Sequence, residues 1–215
     1  MHWLNILFGP IGELIYYFRT TVLSLESQIP GFVLGLIGGI ISEPIRQWIF
    51  RPRLSLEFRE NQDFITKTIE GLITAPEAIA CYVRVRVTNR KWRIAKNCRA
   101  YLVNVEVMNS SGRFEPTEYC DSIQLAWSAR GDEAYFAIDL PKGIPQFLDV
   151  ISVREISPDI RPEIRMQLNR YRALWRRKGS FRFSVQVSGD GLKPVQLSLR
   201  CDWNGRLDDL RASLA

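Results

Sequence analysis

From Ser27 to Ser42 the chain runs sixteen residues, SQIPGFVLGLIGGIIS, without a charge. A stretch this apolar has to leave water, and a helix needs about 20 residues to cross the hydrocarbon core of a bilayer. Continuing through Glu43-Pro44-Ile45-Arg46-Gln47-Trp48-Ile49-Phe50 supplies the missing length. Glu43 and Arg46 stand three apart, so on a helix they share a face and partly neutralise one another. Arg46 can snorkel toward headgroups, and Trp48 suits the interfacial belt. A transmembrane helix over 29–50 is therefore expected. The competing reading is a buried helix of a globular protein, because the uncharged stretch alone is short.

Inside this span Gly31, Gly35 and Gly39 recur every fourth residue. That spacing lets helix backbones approach closely and points to a homo-oligomer formed through the membrane helix; glycine is also common in such helices without packing there. Arg51, Arg53 and Arg59 follow the span while only Arg19 precedes it, so the positive-inside rule places the C-terminal domain in the cytoplasm. Residues 1–28 read as an amphipathic, membrane-associated segment. There Ile11, Leu14, Ile15, Phe18, Val22 and Leu25 recur at helical spacing behind the Gly9-Pro10 break. A second pass through 3–18 is the alternative.

After Arg51-Pro52-Arg53 the pattern changes from helical to alternating. Leu54–Arg59, Tyr82–Thr88, Ala100–Val107, Ser122–Ser128, Ala134–Leu140, Gln146–Val153, Ser180–Val187 and Val195–Trp203 read as strands, punctuated by turns rich in Gly, Pro, Asn and Asp. Short strands at this spacing mean a sandwich or a barrel. Residues 51–215 are expected to form one mainly β domain. The cysteines Cys81, Cys98, Cys120 and Cys201 contain no CxxC pair, and three lie in apolar runs where free Cys behaves as a small buried hydrophobe. Reduced core thiols are expected.

Val83-Arg84-Val85-Arg86-Val87-Thr88-Asn89 through Ile94-Ala95-Lys96-Asn97-Cys98-Arg99-Ala100-Tyr101-Leu102 resembles the "V-x-V-x-N…A-x-N-C…L" strand pair of bacterial immunoglobulin-like domains. It is similar to the CARDB-like adhesion and scaffold modules, and to membrane-anchored prokaryotic proteins that carry such a domain. Those domains usually have Gly soon after the Asn; here Arg90-Lys91-Trp92 follows, so the turn must differ. The resemblance implies an Ig-like β-sandwich with a binding or structural role and carries no catalytic residue across.

One segment interrupts the β pattern. Ser157-Pro158-Asp159 can cap a helix reaching about Arg177, with Pro162 in its first turn. Ile160, Ile164, Leu168, Tyr171 and Trp175 would form its apolar stripe, and Arg161, Arg165, Arg172 and Arg176 another face. Such a face can grip phosphates of lipid headgroups or nucleotides, or simply be solvated. No nucleic-acid reading motif accompanies the charge, which weighs against nucleic acid as a partner.

The single histidine, His2, leaves little room for His-based catalysis or zinc, and no phosphate-binding, dinucleotide-binding or hydrolase motif is present. No enzyme, cofactor or metal is expected. Residues 51–215 carry 27 basic against 20 acidic side chains, which favours anionic neighbours. The leading expectation is a non-enzymatic binding or scaffold module at the cytoplasmic membrane surface, serving an unidentified protein or anionic ligand. The alternative is an oligomerising membrane effector whose domain senses a nucleotide-like anion.

Overall fold

Val83, Val85 and Val87 are fully buried, while Tyr82, Arg84 and Arg86 between them stay partly exposed. Period-two alternation of β-branched residues suits a strand with one face on a core. This is strand β3 (Ala78–Asn89). The computed structural model describes residues 51–70, 78–155, 157–166 and 169–215. The expected segment 1–28, the span 29–50, the glycines Gly31, Gly35 and Gly39, and the Glu43/Arg46 pair lie outside the described residues. Among the described residues no helix is long and apolar enough to cross a membrane.

β3 is central in the first sheet. One edge takes β1 (Leu54–Glu57) and β2 (Ile65–Glu70) end to end, the other takes β9 (Gln146–Arg154). The far side of β9 carries β7 (Ala126–Trp127) and β10 (Ser157–Pro162). The second sheet runs β13 (Arg211–Leu214), β12 (Val195–Trp203), β11 (Gly179–Ser188) and β4 (Ala95–Met108). Short strands β5 (Phe114–Pro116), β6 (Ile123–Gln124) and β8 (Ile138–Leu140) line the outer edge of β4. Among the described residues every ladder between strands is antiparallel.

Val83, Val85, Leu148 and Ile151 of the first sheet and Leu102, Phe181, Phe183 and Leu199 of the second share one core. The result is a mainly β, sandwich-like fold. Cys81, Cys98 and Cys201 are buried in it as free thiols, and Cys120 is free and exposed.

The expected basic helix from Ser157 to Arg177 is not formed. Its first six residues are the edge strand β10, and among its described residues only α1 (Arg172–Trp175) is α-helical. Pro158 and Pro162 explain the difference: neither can donate a backbone hydrogen bond, and an outermost strand tolerates that better than a helix interior does. Ile160 and Ile164, read as one helical stripe, are buried from extended chain instead. Tyr171 and Trp175 are buried as expected, but from a short turn-and-helix packed on Tyr119, with ring centroids 5.0 and 6.1 Å from it.

Candidate functional site

Without the helix, the arginines assigned to one of its faces are dispersed. Arg161 lies on β10 and donates to Ser157 (2.7 Å) and Asp159 (2.8 Å). Arg176, just past α1, reaches the same Asp159 at 3.8 Å. Arg165 follows β10 and Arg172 opens α1; both are exposed and make no ion pair among the described residues. Their neighbours are matched: Arg170 pairs with Asp121, and Arg177 lies 3.8 Å from Glu118. Arg170, followed by the Tyr171 hydroxyl, holds the Asp121 carboxyl below its usual range. The structure thus brings Arg161 and Arg176 together at Asp159, and shares this basic segment with carboxylates from elsewhere in the chain.

A second polar group covers the outer face of the first sheet. Arg84 on β3 donates to Asp149 on β9 at 2.9 Å, and Ser128 donates to the same carboxylate. Beside them Glu163 accepts from Ser152 and from Arg154, the latter at 3.3 Å. Tyr135 donates to the Ile164 carbonyl at 3.2 Å. Asp149 and Arg84 are distant in sequence and meet only across the β3–β9 ladder. Here each carboxylate already has an arginine and a hydroxyl, an arrangement that ties β3, β7, β9 and β10 together.

Burial keeps the Asp149 carboxyl above its ordinary value, although Ser128 and Arg84 pull it down. A carboxyl that holds its proton more tightly folded than unfolded favours the fold while protonated. That increment is lost as pH rises from about 3.9, the unfolded value, through the folded one. Asp149→Asn is therefore expected to flatten the fall in stability over that window. Urea midpoints measured at several pH values check this; an unchanged slope contradicts it.

A cluster of unpaired charge lies at the end of the sandwich where the polypeptide arrives. Leu54 pairs with Asn89, and the Arg90 amide donates to the Arg53 carbonyl at 2.9 Å, so Arg51 and Arg53 sit beside the β3–β4 loop. That loop carries Arg90, Lys91 and Arg93; Lys96 opens β4, Lys142 follows β8, and Lys193 follows the β11–β12 turn. All of these cations are exposed, and none makes an ion pair among the described residues. The nearby carboxylates Asp139 and Asp190 accept from the backbone and side chain of Asn97. Among the cations stand exposed apolar side chains: Trp92 is 80% exposed, Ile144 51% and Ile94 46%. Lys142 caps the Trp92 ring, its Nζ 3.0 Å from the centroid.

These loops are held in place from beneath. Asn89 is fully buried; its amide donates to the Arg93 carbonyl (2.7 Å) and the Leu140 carbonyl (3.0 Å), and its oxygen accepts from the Lys91 amide (3.1 Å). The Gly143 amide donates to the Asn89 carbonyl at 2.9 Å, so the Lys142 loop is tied to the same residue. Gly189 lets the β11–β12 turn close onto β4, since a Cβ there would lie 2.7 Å from the Lys96 carbonyl oxygen. Sequence reading overlooked this surface, whose one visible signal was Arg90-Lys91-Trp92 replacing the small turn expected after Asn89.

A cleft of about 560 Å³ opens between β2 and β13, crossed by a Lys67–Asp208 ion pair of 2.7 Å. Cys81 lies in its wall, and desolvation pushes that thiol up, away from the reactive thiolate form. Among the described residues no group of three or more His, Cys, Asp or Glu is arranged to hold a metal. Compared with known families and curated proteins, the chain matches none: no family model fits it and no curated protein is significantly similar.

Proposed function

We propose that this chain is a membrane-anchored, non-enzymatic binding module. An immunoglobulin-like sandwich is held at the cytoplasmic surface by the apolar helix of residues 29–50, which also offers Gly31, Gly35 and Gly39 for self-association. One observation carries the reading: the polypeptide enters the sandwich at Arg51–Leu54, the end that bears the unpaired cations and exposed Trp92. A basic, Trp-bearing end suits a domain kept close to headgroups. The nucleotide-sensing alternative has less support, because Arg161 and Arg176, two of the four arginines it would use, share Asp159, and the neighbouring Arg170 and Arg177 face Asp121 and Glu118.

Fractionation combined with protease protection tests anchoring and sidedness together. The full-length product is expected in the membrane pellet, released by detergent and not by high salt. The domain is expected to be digested in inverted vesicles and spared in intact spheroplasts. Recovery in the high-speed supernatant without detergent ends the anchoring reading, and digestion in intact spheroplasts ends the cytoplasmic one.

A further inference from the structure

Unmatched cations, exposed apolar side chains and the incoming chain coincide at one end of the sandwich. We infer that this end docks on anionic phospholipid, with Trp92, Ile94 and Ile144 seated among the headgroups and the surrounding Arg and Lys side chains on lipid phosphates. The inference rests on the membrane-anchored reading and adds to it a lipid class and a docking face.

Charge alone does not single out this surface, since the segment around α1 is as basic in sequence. The difference lies in pairing. Around α1 Arg161, Arg170, Arg176 and Arg177 meet Asp159, Asp121 and Glu118, leaving Arg165 and Arg172 unmatched, whereas at the arriving end none of Arg51, Arg53, Arg90, Lys91, Arg93, Lys96, Lys142 and Lys193 makes an ion pair among the described residues. An anionic partner outside the domain can supply counter-charge to them, and the attraction reaches only about 8–10 Å at physiological salt. A partner that is both anionic and able to accept apolar side chains fits the interleaving of Trp92, Ile94 and Ile144 with cations. The headgroup layer of an acidic bilayer is such a partner. Buried Asn89 and close-packed Gly189 fix the loops, so little ordering is needed when they dock.

The test uses the full-length chain reconstituted in lipid vesicles. Cys120→Ser removes the exposed thiol and leaves the buried Cys81, Cys98 and Cys201. Ile144→Cys then takes an environment-sensitive fluorophore, and Ser111→Cys, in the turn between β4 and β5, takes the same label as control. On phosphatidylserine-containing vesicles the probe at 144 is expected to shift to the blue and be quenched by brominated acyl chains. On phosphatidylcholine alone both effects are expected to be lost, and the probe at 111 is expected to stay wet on both. Combined Arg90→Glu, Lys91→Glu and Arg93→Glu is expected to abolish the response at 144 while the protein still floats with vesicles. A floating protein whose 144 probe stays as wet as 111 overturns the docking face and leaves the anchor standing. Equal shielding on both lipids overturns the anionic preference. A 144 probe that answers single-stranded DNA and ignores vesicles assigns the face to nucleic acid and overturns the proposal. Protein that fails to float overturns the anchored reading and this inference with it.

Discussion

Phe183→Ala is expected to remove about 3–5 kcal/mol of stability, the range for deleting a fully buried aromatic from a packed core. Phe183 is completely buried on β11, between β4 and β12, and its ring lies 5.7 Å from that of Phe181. β11 is flanked on both edges, so its neighbours cannot collapse into the space without breaking ladder hydrogen bonds. The loss combines transfer free energy with a cavity that persists. Against a total of about 5–15 kcal/mol for an ordinary domain, the variant would stand near its unfolding threshold. Phe136, 58% exposed, supplies the control: Phe136→Ala is expected to stay within about 0.5 kcal/mol. Urea unfolding of the full-length chain, followed by tryptophan fluorescence, measures both. A Phe183→Ala loss below about 1 kcal/mol would mean that the two sheets do not share the core described above.

The residues that carry this core were also the most legible in the sequence. Val195–Trp203 is a strand with the expected bounds, and the alternations at Tyr82–Thr88, Gln146–Val153 and Ser180–Val187 lie inside β3, β9 and β11. In β3 and β12 one face lies on the core, so alternation and burial coincide, whereas β9 is buried on both faces from Leu148 to Val153. Legibility failed where a segment serves both sheets or an edge. The run Ser122–Ser128 reads as one strand, yet β6 pairs with β4 in the second sheet and β7 with β9 in the first. Leu125 between them bridges to Ile164. Crossing between sheets breaks the register without disturbing the apolar count. Ala134–Leu140 likewise begins in a 3-10 turn, Gly131–Tyr135, before β8.

The edge strand β10 misled for a different reason. Ile160 and Ile164 are four apart, a spacing that one face of a helix and one face of an extended chain share, so the pair does not distinguish the two. The functional surface was hidden because it is assembled from loops distant in sequence. Trp92 and Lys142 are fifty residues apart, and the backbone bridge between Asn89 and Lys142 joins their loops. Residue type suggested the chemistry, and only the topology says which cations stay unmatched.

Asn89 decides whether that surface exists, and Asn89→Ala is expected to cost about 2–4 kcal/mol, the loss of its own bonds plus the desolvation of abandoned buried partners. The Leu140 and Arg93 carbonyls and the Lys91 amide would all lose the group they now meet. Asn89→Asp separates hydrogen bonding from shape. The aspartate is isosteric, but at neutral pH it sets a buried negative charge against two carbonyl oxygens that now receive an amide donor. Burial and those carbonyls hold such a carboxyl above its unfolded value of about 3.9. Its proton therefore stabilises the fold, and stability falls as pH rises from that value through the folded one. Once protonated the group can donate to one carbonyl again, so the deficit of Asn89→Asp against the parent is expected to be smaller at pH 4 than at pH 7. Asn89→Ala, which has nothing to titrate, should show a deficit independent of pH. Paired unfolding curves at the two pH values distinguish the variants. Equal deficits for Asn89→Asp at both would mean that position 89 is open to water, and that the loops bearing Arg90, Trp92 and Lys142 are not organised by this amide.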